Sequence, residues 1–273
     1  MFQTRRNRNM IESAFATLGV IYHLTVYNIR KSHRNALIGL LLTMAQSWLF
    51  ILGFLGVMLF MGQRSSPIRG DYILFIMSGV FMFMVNAQTV QAVSSGGNAL
   101  DAMNKHAPLN TAVMISASAL AVLYRQVISI TVLLVGYDMI FRPIQIEDPL
   151  GALAMLILSW FNGCAVGLVF LSVRAIFPQG NKLLSTIYRR FNMVASGKMF
   201  VGNLIPSMLL HIFAINPLFH IIDQTRGFIF INYSPRNSNI AYPVYFSLAV
   251  LTIGLMAEFV TRNSASISKR AVQ

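Results

Sequence analysis

Residues 36–62 read ALIGLLLTMAQSWLFILGFLGVMLFMG, 27 residues without a charged side chain. A helix needs roughly 20 apolar residues to cross a bilayer, so this run can span one with some tilt. The rest of the chain has the same character. Of 273 residues 56% are hydrophobic and 11% charged, and the mean hydropathy is +0.63. A soluble domain carries about a quarter charged residues. Soluble globular and disordered classes are therefore excluded.

Outward from that run the pattern repeats. Tyr72–Val93, Leu109–Gly136 (interrupted by Arg125) and Leu150–Val173 are further apolar runs, and Tyr242–Val260 is the last, with Glu258 near its end. The fifth span has two readings. Phe191–Phe213 would hold Lys198 inside it; Lys182–Gly202 would also hold Arg189 and Arg190. The second is preferred. It leaves a half-apolar stretch broken by Pro217, Gly227 and Pro235, whose short pieces read as re-entrant or interfacial helices. The expected fold is an all-α integral membrane protein. It has a segment 1–35 with an interfacial helix, six transmembrane helices (36–62, 72–93, 109–136, 150–173, 182–202, 242–260), external re-entrant helices between spans five and six, and a tail 261–273.

Lys plus Arg number 21 and Asp plus Glu 8, a net charge of +13. In so apolar a chain this excess reads as topology, because cytoplasmic loops collect Lys and Arg. Arg5, Arg6, Arg8, Arg30, Lys31, Arg34, Lys105, Arg174, Lys182, Arg189, Arg190, Arg262, Lys269 and Arg270 fall on one side, and Arg64, Arg69, Arg142, Arg226 and Arg236 on the other. Both termini are thus expected in the cytoplasm. A nucleic-acid partner wants a soluble basic face, which this chain lacks. The basic start MFQTRRNRNM reads as a non-cleaved N-terminus rather than a signal peptide. After it, Phe15, Leu18, Tyr22, Val26 and Ile29 recur at helical spacing. That amphipathic helix should lie in the lipid interface with its apolar stripe in the acyl boundary.

Covalent chemistry finds little to stand on. There is no G-x-x-x-x-G-K-[ST] and no H-E-x-x-H, and Cys164 is the only cysteine. His211 and His220 read as polar interfacial residues rather than metal ligands, and Glu147-Asp148 as a solvated turn. No metal and no cofactor is expected. Trp48, Trp160, Tyr233, Tyr242 and Tyr245 suit bilayer interfaces. Ser94-Ser95-Gly96-Gly97-Asn98 opens a cytoplasmic link in which Ala99–His106 forms a short polar helix ended by Pro108. That helix is either a handle for a soluble partner or a plain connecting loop.

An ionisable residue within a span is a functional candidate by default. Arg125 either lines a wet cavity or snorkels to the cytoplasmic side. Arg190 and Lys198, eight apart, would share a helix face. With Arg125 they form a candidate translocation path for a phosphate or an acidic sugar. The rival reading makes Arg190 a helix-end residue and Lys198 an interfacial one.

Leu123-Tyr124-Arg125, Ser196-Gly197-Lys198-Met199-Phe200, Ile205-Pro206 and Asn216-Pro217-Leu218, with Arg226 downstream, stand in a characteristic order. With the interfacial helix and the link after the second span, this resembles the membrane subunits of type-2 ABC exporters. It resembles in particular the capsular-polysaccharide and O-antigen export permeases of Gram-negative bacteria. Two departures stand out: the first span lacks a proline, and Lys198 stands where an apolar residue is usual.

The resemblance implies a homodimer of this chain in the bacterial inner membrane. It also implies a separate ABC ATPase subunit, a lipid-linked glycan as substrate, and periplasmic or outer-membrane export partners. Leu100, Asp101, Met103, Asn104, Lys105 and His106 would couple to the ATPase. Pro206, Asn216, Pro217 and Arg226 would mark the external re-entrant helices. A membrane transferase acting on polyprenyl-linked sugars, or a type-2 exporter of another lipid or drug, are the alternatives.

Overall fold

The computed structural model describes residues 10–31, 36–60, 62, 68–96, 111–141 and 143–271. The helices are α1 (Met10–Lys31), α2 (Ala36–Phe60), α3 (Tyr72–Ser95), α4 (Thr111–Ile140), α5 (Pro149–Ile176), α6 (Pro178–Ala195), α7 (Ser207–Ala214), α8 (Pro217–Ile229) and α9 (Ala241–Ala271), with a 3₁₀ turn at Gly202–Leu204. No strand occurs among the described residues. Among the described residues five helices are long and apolar enough to cross a membrane, over Ile38–Phe60, Tyr72–Ser95, Thr111–Ile140, Pro149–Ile176 and Ala241–Thr261. They match five of the six expected spans to within a few residues.

The bundle is built around α3. Its apolar window is 83% buried, against 22% for α2 and 11% for the α9 span. It packs on α2, α4, α5 and α8, and α9 packs against the far side of α5. Asp71 starts α3: its Oδ1 accepts from Ile73 N at 2.9 Å, and its Oδ2 accepts from the Tyr137 hydroxyl of α4 at 2.6 Å. A side chain at Gly163 of α5 would come within 2.9 Å of the Asn86 carbonyl and Thr89, so only glycine lets α3 and α5 approach this closely.

A buried amide chain ties the same helices together. Asn86 Nδ2 donates to Asn162 Oδ1 at 2.9 Å and to the Ser159 carbonyl at 3.1 Å, and Asn162 Nδ2 donates to Ser247 Oγ of α9 at 2.9 Å. Polar pairs of this kind in membranes are worth about 0.6 kcal/mol on average and about 1.7 at most. Asn86→Leu should therefore lower thermal stability modestly without blocking insertion. The check is a melting curve in detergent against Asn86→Leu with Asn162→Leu. The double change should cost less than two independent losses, because the single variant already leaves Asn162 Oδ1 without its donor.

Two expectations need correction, and the first helix makes a contact that its apolar stripe did not announce. The fifth span does not run from Lys182 to Gly202: α6 begins at Pro178, directly after α5, and ends at Ala195. The helix stops because Gly197 takes a left-handed φ of +66°, and a side chain there would meet the Phe219 ring at 2.6 Å. At 18 residues α6 is about 27 Å long, but its Asn181, Lys182, Arg189, Arg190 and Asn192 keep it off the list of plainly apolar spans. Next, α1 turns Leu24, Thr25 and Asn28 toward α4, where Thr25 Oγ1 donates to the Ala117 carbonyl and Asn28 Nδ2 to Ser118 Oγ, both at 3.4 Å. Its expected stripe of Phe15, Leu18 and Tyr22 faces outward, as a lipid-facing surface would. Finally, Trp160 Nε1 donates to the Ala119 carbonyl at 2.9 Å inside the bundle rather than standing at its rim.

Candidate functional site

The segment after α6 folds back on α3 and is held by two neighbouring residues of α8. Asn216 caps α8, its Oδ1 accepting from Leu218 N at 3.0 Å, with Pro217 in the first turn, where no amide donor is needed. Asn216 Nδ2 also donates to Asn192 Oδ1 of α6 at 2.7 Å. One turn before the end of α8, Arg226 is fully buried, 4.0 Å above the Phe75 ring. It donates to the carbonyls of Gly197, Lys198 and Phe200. Asp223 accepts from Gly202 N at 3.2 Å, from Ser238 Oγ at 2.8 Å and from the Tyr233 hydroxyl.

His220 is also structural. Its Nδ1 accepts from Asn239 N at 3.0 Å, which leaves the proton on Nε2 to donate to the Ala214 carbonyl at 2.8 Å. Tyr233 and Tyr242 also brace this region: the Tyr233 hydroxyl donates to Asp223, and the Tyr242 hydroxyl, at the start of the last span, donates to the Ile215 carbonyl at 2.7 Å. Pro206 accepts the first amides of α7 through its carbonyl. The motif residues Pro206, Asn216, Pro217 and Arg226 thus build a scaffold.

The polar hollow lies on the other half of α3. An open cleft of about 600 Å³ is lined by Asn28, Gln46, Gln88, Gln91, Ser118 and Arg125, among others. A second, of about 350 Å³, shares Gln46, Gln88 and Gln91 and adds Phe50, Phe83, Arg189 and Arg190. Gln88 Nε2 donates to Gln46 Oε1 at 3.3 Å, and Arg189 Nη1 to Gln91 Oε1 at 3.5 Å. A row of three amides therefore runs between Arg125 on one side and Arg189 and Arg190 on the other. Amides supply both donors and acceptors, as sugar hydroxyls require, and guanidinium groups pair with carboxylate or phosphate.

Of the residues singled out in the sequence, Arg125 and Arg190 meet on this joint hollow. Lys198 does not share a helix face with Arg190, because α6 ends before it. It is 3% exposed, its Nζ 3.3 Å from the Phe83 ring centre and 4.8 Å from that of Phe54. Two such contacts are worth about 0.5–2 kcal/mol each, and Nζ has no hydrogen-bond partner among the described residues. Leu100, Asp101, Met103, Asn104, Lys105 and His106 lie outside the described residues. Among the described residues no cluster of His, Cys, Asp or Glu is arranged to hold a metal ion, and Asp148 serves as the cap of α5. Gln46, Gln88 and Gln91 were missed. Their signal was three amides set in otherwise apolar helices, which a search for charges passes over.

Fold and hollow together define a multi-pass helical membrane protein with a polar groove, carrying the motif order of the type-2 ABC exporter permeases. Over 117 residues the chain is 30% identical to the polysialic acid transport protein KpsM of Escherichia coli, covering 41% of this chain and 45% of that protein; a second Escherichia coli protein of the same name is 29% identical over the same length. The chain thus spans about half the length of the curated relatives it matches. No family model matches the chain. The matches bear out the resemblance to type-2 ABC exporter permeases.

Proposed function

We propose that this chain is the permease subunit of an ABC exporter that moves a polysaccharide, joined to a lipid carrier, across the bacterial inner membrane. The carrying observation is the amide row of Gln46, Gln88 and Gln91 between cationic walls in an otherwise apolar bundle. An apolar bundle gains nothing from such a groove unless something polar occupies it. Similarity to a polysialic acid transport protein supports the same reading.

In this reading α6 is the fifth of six spans, its polar face turned to the path, and both termini are cytoplasmic. Helices α7 and α8 are the external re-entrant pair. Two copies form the pore, and Arg125 and Arg190 line it. Two copies of a separate ATPase drive it, docking on Leu100, Asp101, Met103, Asn104, Lys105 and His106, and periplasmic and outer-membrane proteins receive the glycan.

Coexpression with a candidate ABC ATPase from the same genome tests this. Asp101→Ala with Lys105→Ala should weaken copurification, since truncating such contacts costs about 2 kcal/mol or more. Export should fall while membrane levels stay unchanged. Normal copurification and export by the double variant would move the coupling role elsewhere. Failure of the wild-type chain to bind any ATPase would overturn the exporter reading.

A further inference from the structure

Lys198 serves the scaffold loop through its carbonyl alone; its side chain takes no part in the hydrogen bonds that hold the loop. Arg226 engages the carbonyls of Gly197, Lys198 and Phe200, which fixes the loop and occupies the nearest backbone acceptors along the chain. The Lys198 side chain then runs in between α2 and α3, where Nζ meets the rings of Phe54 and Phe83. An ammonium has three donors, and none is used here. Ring faces offset part of its lost hydration but accept no full hydrogen bond. A structural lysine would be expected to reach a carbonyl or a carboxylate.

Phe83 connects this cage to the groove. The ring lying over Nζ also lines the cleft that holds Arg189 and Arg190, together with Phe50, whose ring centre is 6.2 Å from it. Movement of the Phe83 ring would open the groove onto a waiting ammonium, with the guanidinium groups of α6 at the entrance.

We propose that Lys198, behind Phe83, is a buried binding site for an oxyanion, the carboxylate of an acidic sugar or the phosphate of its lipid carrier. The site selects anionic over neutral glycans. It deepens the reading of the chain as a glycan permease, but its test needs neither an ATPase nor export, so the two can fail separately.

The test is binding of fluorescently labelled oligosialic acid, and of dextran of equal length, to the full chain in phosphatidylcholine nanodiscs. Wild type should bind oligosialic acid more tightly than dextran. Lys198→Met should weaken oligosialic acid binding at least tenfold and leave dextran unchanged, while Lys198→Arg should stay within threefold. Phe83→Leu, which keeps the ammonium and lowers the barrier before it, should tighten oligosialic acid binding at least threefold. Adding phosphatidylglycerol distinguishes the sources. If it abolishes oligosialic acid binding, the oxyanion is a lipid phosphate; if binding persists, it is the sugar carboxylate. Equal binding of both glycans by wild type would overturn the site. So would an unchanged affinity in Lys198→Met, or in Phe83→Leu should the methionine variant not fold. A lysine that only packs would lower the melting temperature on substitution without changing the preference for anions.

Discussion

Arg226→Met is expected to leave little folded protein in the membrane. Methionine keeps most of the packing on Phe75, so the change isolates the loss of the donors. Three carbonyls, of Gly197, Lys198 and Phe200, lose their guanidinium partner inside the bundle. An orphaned buried acceptor costs about 1–3 kcal/mol, more when its partner was charged. The Gly197 carbonyl keeps the Phe200 amide at 3.0 Å, so the loss falls on the carbonyls of Lys198 and Phe200, and together they take a large part of a total stability of about 5–15 kcal/mol. They do so where the chain has no helical ladder to fall back on, between Ala195 and Ser207. Arg226→Lys should rescue only partly, because one ammonium cannot satisfy three carbonyls set out for a planar fork. Size-exclusion profiles and melting curves of the detergent-extracted protein are the measurement. A methionine variant that melts with wild type would mean the loop is held by Asp223 and packing alone.

This network marks what was legible in the amino-acid order. The apolar runs were, because length and hydropathy alone decide whether a helix can cross a bilayer; the spans in α2, α3, α4, α5 and α9 followed from them to within a few residues, although α9 itself continues to Ala271 through what reads as a tail. Asn216-Pro217 was legible as a helix start, since the cap and the missing amide are local. The end of α6 was not. Periodicity continues through Val194 into the next residues, and only the Phe219 ring and the Arg226 donors, both distant in sequence, explain the left-handed Gly197. Once the helix ends there, an eight-residue spacing says nothing about Arg190 and Lys198. The amide row was invisible for another reason. Gln46 stands on α2 and Gln88 and Gln91 on α3, so it exists only after the two helices pack. In α1, too, hydropathy marked an apolar stripe, of which Phe15, Leu18 and Tyr22 face outward and Val26 and Ile29 are half-buried, but gave no sign that Thr25 and Asn28 carry the contact with α4.

Gln91→Trp should stop export while sparing the fold. Gln91 is exposed, and its side chain lines both halves of the hollow. Its amide oxygen accepts only a long bond of 3.5 Å from Arg189, so the loss of that bond costs little. Burial is not disturbed, because the new ring extends into open space rather than into the core. Helix α3, the central and most buried span, holds it there. An indole is large and rigid, and at this position it narrows both clefts at once. It also presents an apolar face where a glycan needs donors and acceptors. Export should fall to the level of cells without the permease, with membrane abundance and melting temperature close to wild type. Gln91→Ala reverses the geometry: it widens the hollow and should retain most export. The pair separates a path from a structural groove. A path is blocked by bulk and tolerates removal, whereas a groove that only packs helices would respond to neither. Normal export by the tryptophan variant at normal abundance would take the transport route away from this face of α3.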